Sequence, residues 1–200
     1  DDLKHHIERQ DLLGRETVFS PISPSVGKLG VFQLTENRKD FAYLPSEPTI
    51  LERLVAKNVP VYAVGMIEDI YCHRGITESV HTGNNADSQA LVEKWTKEKT
   101  DGLIVANFID YDMVYGHRRD AKGYAQSLEL TDQWLAKYLP LVQAGDMLIL
   151  TADHGNDPTF KGTDHTREYV PLLVYRPGEP AENLGIGRGF YDIAQSLAKF

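Results

Sequence analysis

The chain has 200 residues, 42% of them hydrophobic and 25% charged, enough apolar content to bury the core of one domain or slightly more. With 21 Lys and Arg against 29 Asp and Glu the formal net charge is −8, which argues against nucleic acid as the partner, because a phosphate backbone wants a basic face. Cys72 is the single cysteine, which excludes an internal disulfide and fits a reducing cytoplasm; no apolar run approaches a membrane span and no signal peptide is visible.

Residues 1–45 read as irregular. Pro21, Pro24, Gly27 and Gly30 interrupt short β-like runs such as Gly30–Leu34, and the paired His5 and His6 read as solvated. From Pro45 onward strand and helix patterns alternate. Pro48 falls at an expected first helical position ahead of an apolar stripe of Ile50, Leu51, Leu54 and Val55. Val59–Val64 predicts a buried strand with Pro60 near its start. His73 and His81, on either side of Arg74–Ser79, read as structural or surface groups. Ser88–Trp95 predicts a helix, and 103–109 a strand. A longer helix is expected over Gly123–Tyr138, with Leu128, Leu130, Trp134, Leu135 and Tyr138 on its inner side. Strands at 147–150 and Val170–Tyr175 and a closing helix at 190–199 complete the pattern. Gly185-Ile-Gly-Arg-Gly189 lacks the following Lys-Ser/Thr of a phosphate loop and reads as a turn into that helix. Alternation of this kind predicts an α/β fold, a largely parallel sheet with helices on both faces.

Two loops carry the chemistry. The run Met147–Leu150 empties into Thr151-Ala-Asp-His-Gly-Asn-Asp-Pro-Thr-Phe-Lys-Gly-Thr-Asp-His165, which gathers Asp153, His154, Asp157, Asp164 and His165. Upstream, the run from Leu103 empties into Asp110 and Asp112, with His117 one short turn later and Gly116 loosening the backbone between them. Carboxylates and imidazoles just past the carboxyl ends of strands are how an α/β sheet presents metal ligands to a crevice. Mixed oxygen and nitrogen donors suit manganese or zinc better than calcium. Two such ions about 3.5–4 Å apart can clamp the attacking and leaving oxygens of a phosphoryl transfer. Arg118 and Arg119 lie beside the second loop, where a guanidinium can meet a phosphate or pin a ligand. Pinning is the expected role, because metal ligands need fixed orientation, and Arg167 reads the same way.

Asp112-Met-Val-Tyr-Gly-His-Arg-Arg-Asp120, Thr151–Gly155, Gly162-Thr-Asp-His-Thr-Arg-Glu168 and Arg74–Ser79 resemble the phosphopentomutase family of the alkaline phosphatase superfamily. The resemblance implies an alkaline phosphatase-like core over 46–200 and, in 1–45, the tail of a small α+β cap domain. It implies that Asp112, His117 and His165 hold one divalent ion and Asp153 with His154 a second, with manganese first and zinc or magnesium as alternatives. The nucleophilic threonine of the family belongs to an amino-terminal half with no counterpart here. The chain, starting at Asp1 without an initiator methionine, therefore reads as the carboxy-terminal portion of an enzyme about twice as long, inactive alone. The implied reaction moves a phosphoryl group between C1 and C5 of a pentose, with ribose 1-phosphate and ribose 5-phosphate as the pair. A phosphorylated small molecule is the expected partner, and the cytoplasm the expected compartment.

Departures from the family bear on the substrate. Arg38 matches a family arginine of the substrate pocket. Ser20, in Phe19–Ile22, and Met66, in Val64–Ile67, stand where the family usually carries arginine and lysine for the distal phosphate. Replacing such charge-assisted contacts with neutral groups removes roughly 1.5–3 kcal/mol apiece. The alternatives are a related mutase or phosphoryl-transfer metalloenzyme acting on another phosphorylated metabolite, or a non-catalytic binding relative.

Overall fold

Strand β4 (Val61–Val64) organises the molecule because its side chains alternate between two apolar cores. Val61 and Ala63, with Leu103 and Val105 of the neighbouring strand β6 (Leu103–Ala106), face Leu51 and Ile67 on one side. Tyr62, Val64 and Ile104 face Val92, Trp95 and Tyr138 on the other. Both β5 (Glu78–Val80) and β6 pair with β4 in parallel, in the order β5-β4-β6. A strand buried on both faces needs helices on both, and this chain supplies them, as the alternation predicts. The computed structural model describes residues 8–10, 16–18, 39–99 and 101–200. Arg38, Ser20, His5, His6 and the Gly30–Leu34 run lie outside the described residues. Nearer the start, β1 (Glu8–Gln10), β2 (Glu16–Val18) and β3 (Lys39–Phe41) form an antiparallel sheet in sequence order.

One face of the parallel sheet is covered by α1 (Ile50–Ala56) and α2 (Ile67–Ile70). Thr49, rather than Pro48, starts α1. Its hydroxyl accepts from the Glu52 amide while Glu52 accepts from the Thr49 amide at 2.9 Å, a reciprocal capping box that leaves Pro48 outside the helix. Leu51 is buried and Ile50 and Leu54 pack beside it, whereas Val55 turns outward. Opposite lie α3 (Asn85–Glu98) and α4 (Ala121–Tyr138), which start three and two residues earlier than periodicity suggested because side chains at Asn84 and Asp120 cap them there; α3 also runs three residues further.

The inner face of α4 differs from expectation. Trp134, Leu135 and Tyr138 face the core, but Leu128 and Leu130 are 52% and 63% exposed. The buried stripe runs instead through Gly123 and Ser127 and continues past Thr131. Small and hydroxyl-bearing side chains sit there because two tyrosines need the room: the Tyr115 ring lies where a Cβ on Gly123 would stand, and the Tyr111 hydroxyl meets the Ser127 carbonyl and the Thr131 hydroxyl.

Past α4 the chain returns as β7 (Leu148–Thr151), which pairs with β8 (Leu172–Tyr175) in an antiparallel two-stranded ladder separate from the parallel sheet. Leu148 links β7 to the α3–α4 core. The last helix, α5, spans Tyr191–Leu197, and the 185–189 segment leads to it as irregular chain with a bend at Arg188 rather than as a regular turn.

A candidate metal centre

After β6 the backbone enters a π-helical turn, Tyr111–Gly116. Such turns are rare and widen the spacing between successive side chains, so Asp112 and His117 face one point although five residues separate them. The Asp112 carboxylate stands 3.2 Å from His117 Nε2 by one oxygen and 3.1 Å from His165 Nε2 by the other, and the two Nε2 atoms are 3.2 Å apart. Asp112, His117 and His165 thus form a potential metal-binding triad, brought together from two loops.

The donor set fits a divalent cation on its own chemistry. His117 Nδ1 lies 2.5 Å from the Thr163 carbonyl, which can only accept, so Nδ1 keeps its proton and Nε2 is the nitrogen that presents a lone pair once the ring is neutral. Bonds of about 2.0–2.2 Å to nitrogen and oxygen place neighbouring ligand atoms roughly 2.8–3.6 Å apart, from octahedral to tetrahedral angles. The observed separations fall inside that interval. Burial works against charge on Asp112, but the His117 hydrogen bond and the charges of His117 and His165 outweigh it and hold the carboxyl below its ordinary value. Burial, reinforced by His154, pushes the His165 imidazole down toward the neutral form that ligates.

The second expected pair lies against the first. His154 stacks on His165 with ring centroids 3.6 Å apart, and its Nε2 is 3.6 Å from Asp153. His154 Nδ1 faces the Gly155 carbonyl at 3.2 Å, leaving Nε2 as the free donor on the Asp153 side. Asp157, by contrast, is spent on its own turn: it accepts from the Thr159 amide and hydroxyl at 2.7 Å, and those bonds hold its carboxyl below the usual range.

Arg119 shows where the expected pinning occurs. Its guanidinium donates to the carbonyls of Gly116 at 3.2 Å, Asp157 at 2.9 Å, Asp164 at 2.6 Å and Gly162, and to Asn156 Oδ1 at 3.1 Å. Both ligand loops are tied to one side chain. Arg118 and Arg167 are exposed and meet no hydrogen-bond or ionic partner among the described residues. His81 pairs with Asp69 at 2.8 Å and His73 with Glu68 at 3.4 Å, away from the triad, as expected of surface groups.

Sequence reasoning missed Asn156. Its Nδ2 donates to Asp112 while its Oδ1 accepts from Arg119, so it connects ligand and clamp. The signal was an amide within the His-Gly-Asn-Asp run, indistinguishable there from a turn residue. Gly116 also has a different role from the loosening expected. It is buried, and a Cβ there would overlap the Asn156 side chain and stand 2.8 Å from the Tyr111 carbonyl. Met66, half-buried, follows β4 at the carboxyl edge of the sheet, the edge from which the Asp112 turn leaves β6.

Comparison with known proteins agrees with this geometry. Residues 54–200 match the model of the metalloenzyme superfamily. The chain is 47% identical over 196 residues to a phosphopentomutase of Caldanaerobacter subterraneus, covering 96% of this chain and 50% of that protein. It is 48% identical over 177 residues to a phosphopentomutase of Anaeromyxobacter sp., covering 88% and 46%. The chain spans about half the length of these curated relatives. Among solved structures, a phosphoglycerate mutase of Leishmania mexicana superposes with a TM-score of 0.53 at 22% identity, covering 65% of this chain and 32% of that one. A Pyrococcus horikoshii protein superposes at 0.56 and 17% identity, covering 70% and 44%. At such identities they speak for the fold alone.

Proposed function

The chain belongs to the metalloenzyme superfamily, and from that premise we propose that it forms part of a two-metal phosphomutase that interconverts ribose 1-phosphate and ribose 5-phosphate. The observation that carries this reading is the convergence of Asp112, His117 and His165, from two loops, on one point with ligand-like spacing. Identity of 47–48% to phosphopentomutases over most of the chain supports the reaction class.

In this reading Asp112, His117 and His165 hold one divalent cation and Asp153 with His154 a second, with manganese preferred over zinc or magnesium. Cations so bound supply charge stabilisation for the transferring phosphoryl oxygens. The chain's own residues orient and insulate the site. Thr163 fixes the His117 tautomer, Asn156 holds Asp112, and Arg119 keeps the two loops together. Arg38 would serve the substrate, and Arg118 and Arg167 would act beside the ligand loops. Residues 1–45 would be the remainder of a cap domain and 46–200 part of the core. A phosphorylated small molecule is the partner, and the single thiol, Cys72, is consistent with a cytoplasmic setting.

Met66 favours a second reading, a related mutase with another phosphorylated substrate. A half-buried thioether at the carboxyl edge of the sheet offers no charge to a distal phosphate.

The test joins metal content to turnover in protein carrying this chain, with His165→Ala as the decisive variant. We expect two equivalents of manganese and interconversion of the pentose phosphates in the parent. The variant should lose one equivalent and all turnover. Full occupancy with retained turnover in His165→Ala would sink the assignment of this ligand.

A further inference from the structure

The π-helical turn bearing Asp112 is fastened at its start by a pair of residues that the metal chemistry does not use. Asp110 Oδ2 accepts from the Asn85 amide at 2.9 Å, and Asn85 Oδ1 accepts from the Asp110 amide at 3.0 Å. Twenty-five residues of chain separate the partners, so this double bond pair is a tertiary clasp rather than a local turn. Asp110 occupies the cap position of its own turn yet makes no side-chain bond there. Its carboxylate instead satisfies the first amide of α3, at the positive end of that helix dipole. Asn84 already caps the Asp87 amide at 2.9 Å, so α3 receives two caps, one of them from the metal loop.

Asn85 is 6% exposed, and its Nδ2 has no hydrogen-bond partner. Burying an unpaired amide donor is costly. The side chain therefore sits there for its one oxygen, and that oxygen serves Asp110. The helix carrying Asn85 is itself anchored, with Val92 and Trp95 in the core and Ser88 fully buried.

We infer that Asn85 and Asp110 are positioning residues that fix the Asp112 turn on the N-terminus of α3 and so set the ligand geometry of the metal centre. The inference deepens the metal reading above and rests on it. Phosphate capture at the α3 N-terminus is disfavoured, since Asp110 already occupies the first amide and Asp87 adds a second negative charge to the first turn.

Cobalt(II) titration of the chain tests the clasp, read as affinity and as the ligand-field absorption of bound cobalt, alongside amide exchange at residues 85 and 110 without metal. Asn85→Ala and Asp110→Ala should each weaken cobalt binding by about 10–100-fold, as for other groups that orient ligands, and alter the absorption band. Asp110→Asn keeps a carbonyl acceptor and should restore most of the affinity and the parental band, which a general loss of packing would not. Asp110→Ala leaves the core intact and decides the matter if Asn85→Ala does not fold. Faster exchange at 85 and 110 with parental cobalt affinity and spectrum would overturn the clasp while leaving the metal centre standing. Absence of cobalt binding in the parent chain would overturn the metal reading first, and the clasp with it.

Discussion

Arg119 has five N–H donors, and the five acceptors they meet are four backbone carbonyls and one side-chain amide oxygen. That distribution decides between the two roles open to a guanidinium beside a metal loop: Nε, both Nη1 donors and one Nη2 donor are engaged by the protein, and the single Nη2 donor left cannot grip a phosphate bidentately. Its backbone, at φ 56°, lies in the left-handed region, a conformation costly for a residue with a Cβ. Lysine keeps the charge but has three donors on one atom and cannot span acceptors on both loops. Arg119→Lys is therefore expected to lower metal affinity by about 10–100-fold, measured by competition with a chelating dye, with little change in helix content. Unchanged affinity would show that the loops hold together without it. Met66 belongs to the same scale. If a cation at that position grips the distal phosphate, Met66→Lys should raise kcat/KM for ribose 5-phosphate by about tenfold, the worth of one contact of roughly 1.4 kcal/mol. An efficient parent enzyme that gains nothing from the lysine would remove the case for another substrate.

At the scale of elements, what could be read in advance was whatever has a local cause. The buried strand β4 and the candidate ligands Asp112, His117 and His165 lie within short stretches whose patterning states their role. The resemblance to a known family then assigned the ligands to ions, which spacing alone did not. Elements set by distant partners could not be read. The π-helical turn adds one residue per turn to accommodate ligand spacing and leaves no mark in hydropathy. The α4 stripe runs through Gly123, Ser127 and Thr131 because Tyr115 and Tyr111 pack there, and an apolar count chose Leu128 and Leu130 instead. Asn156 and Asn85 make their important bonds 44 and 25 residues away. The β7–β8 pair looked like continuing alternation, but no helix separates the two strands, only the ligand loop, and their pairing is antiparallel.

At the scale of the molecule, the candidate metal centre lies between two separate ladders, β5-β4-β6 and β7-β8. The β5-β4-β6 sheet has a core on each face. By contrast β8 is exposed along its length, with Leu173 at 61%, and a two-stranded ladder is marginal in isolation. Asp112 and His117 leave the first sheet through β6, while Asp153, His154 and His165 belong to the loop between β7 and β8. An ion shared by Asp112, His117 and His165 would therefore cross-link the ladders. Ligand that binds only the closed arrangement stabilises it by RT ln(1 + [L]/Kd), about 2.7 kcal/mol at a hundred times Kd. Amide exchange without metal should thus be fast in β7 and β8 and slow in β4, since local opening follows the number of buried contacts. Saturating manganese should slow exchange at Leu148–Thr151 and Leu172–Tyr175 by up to about 100-fold, with the smallest change at Val61–Val64. His165→Ala should abolish that differential slowing even where Asp153 and His154 still bind an ion, because the link between ladders passes through His165. Uniform slowing across both ladders, or equal slowing in the variant, would mean that the ion stabilises the fold globally rather than by joining these two ladders.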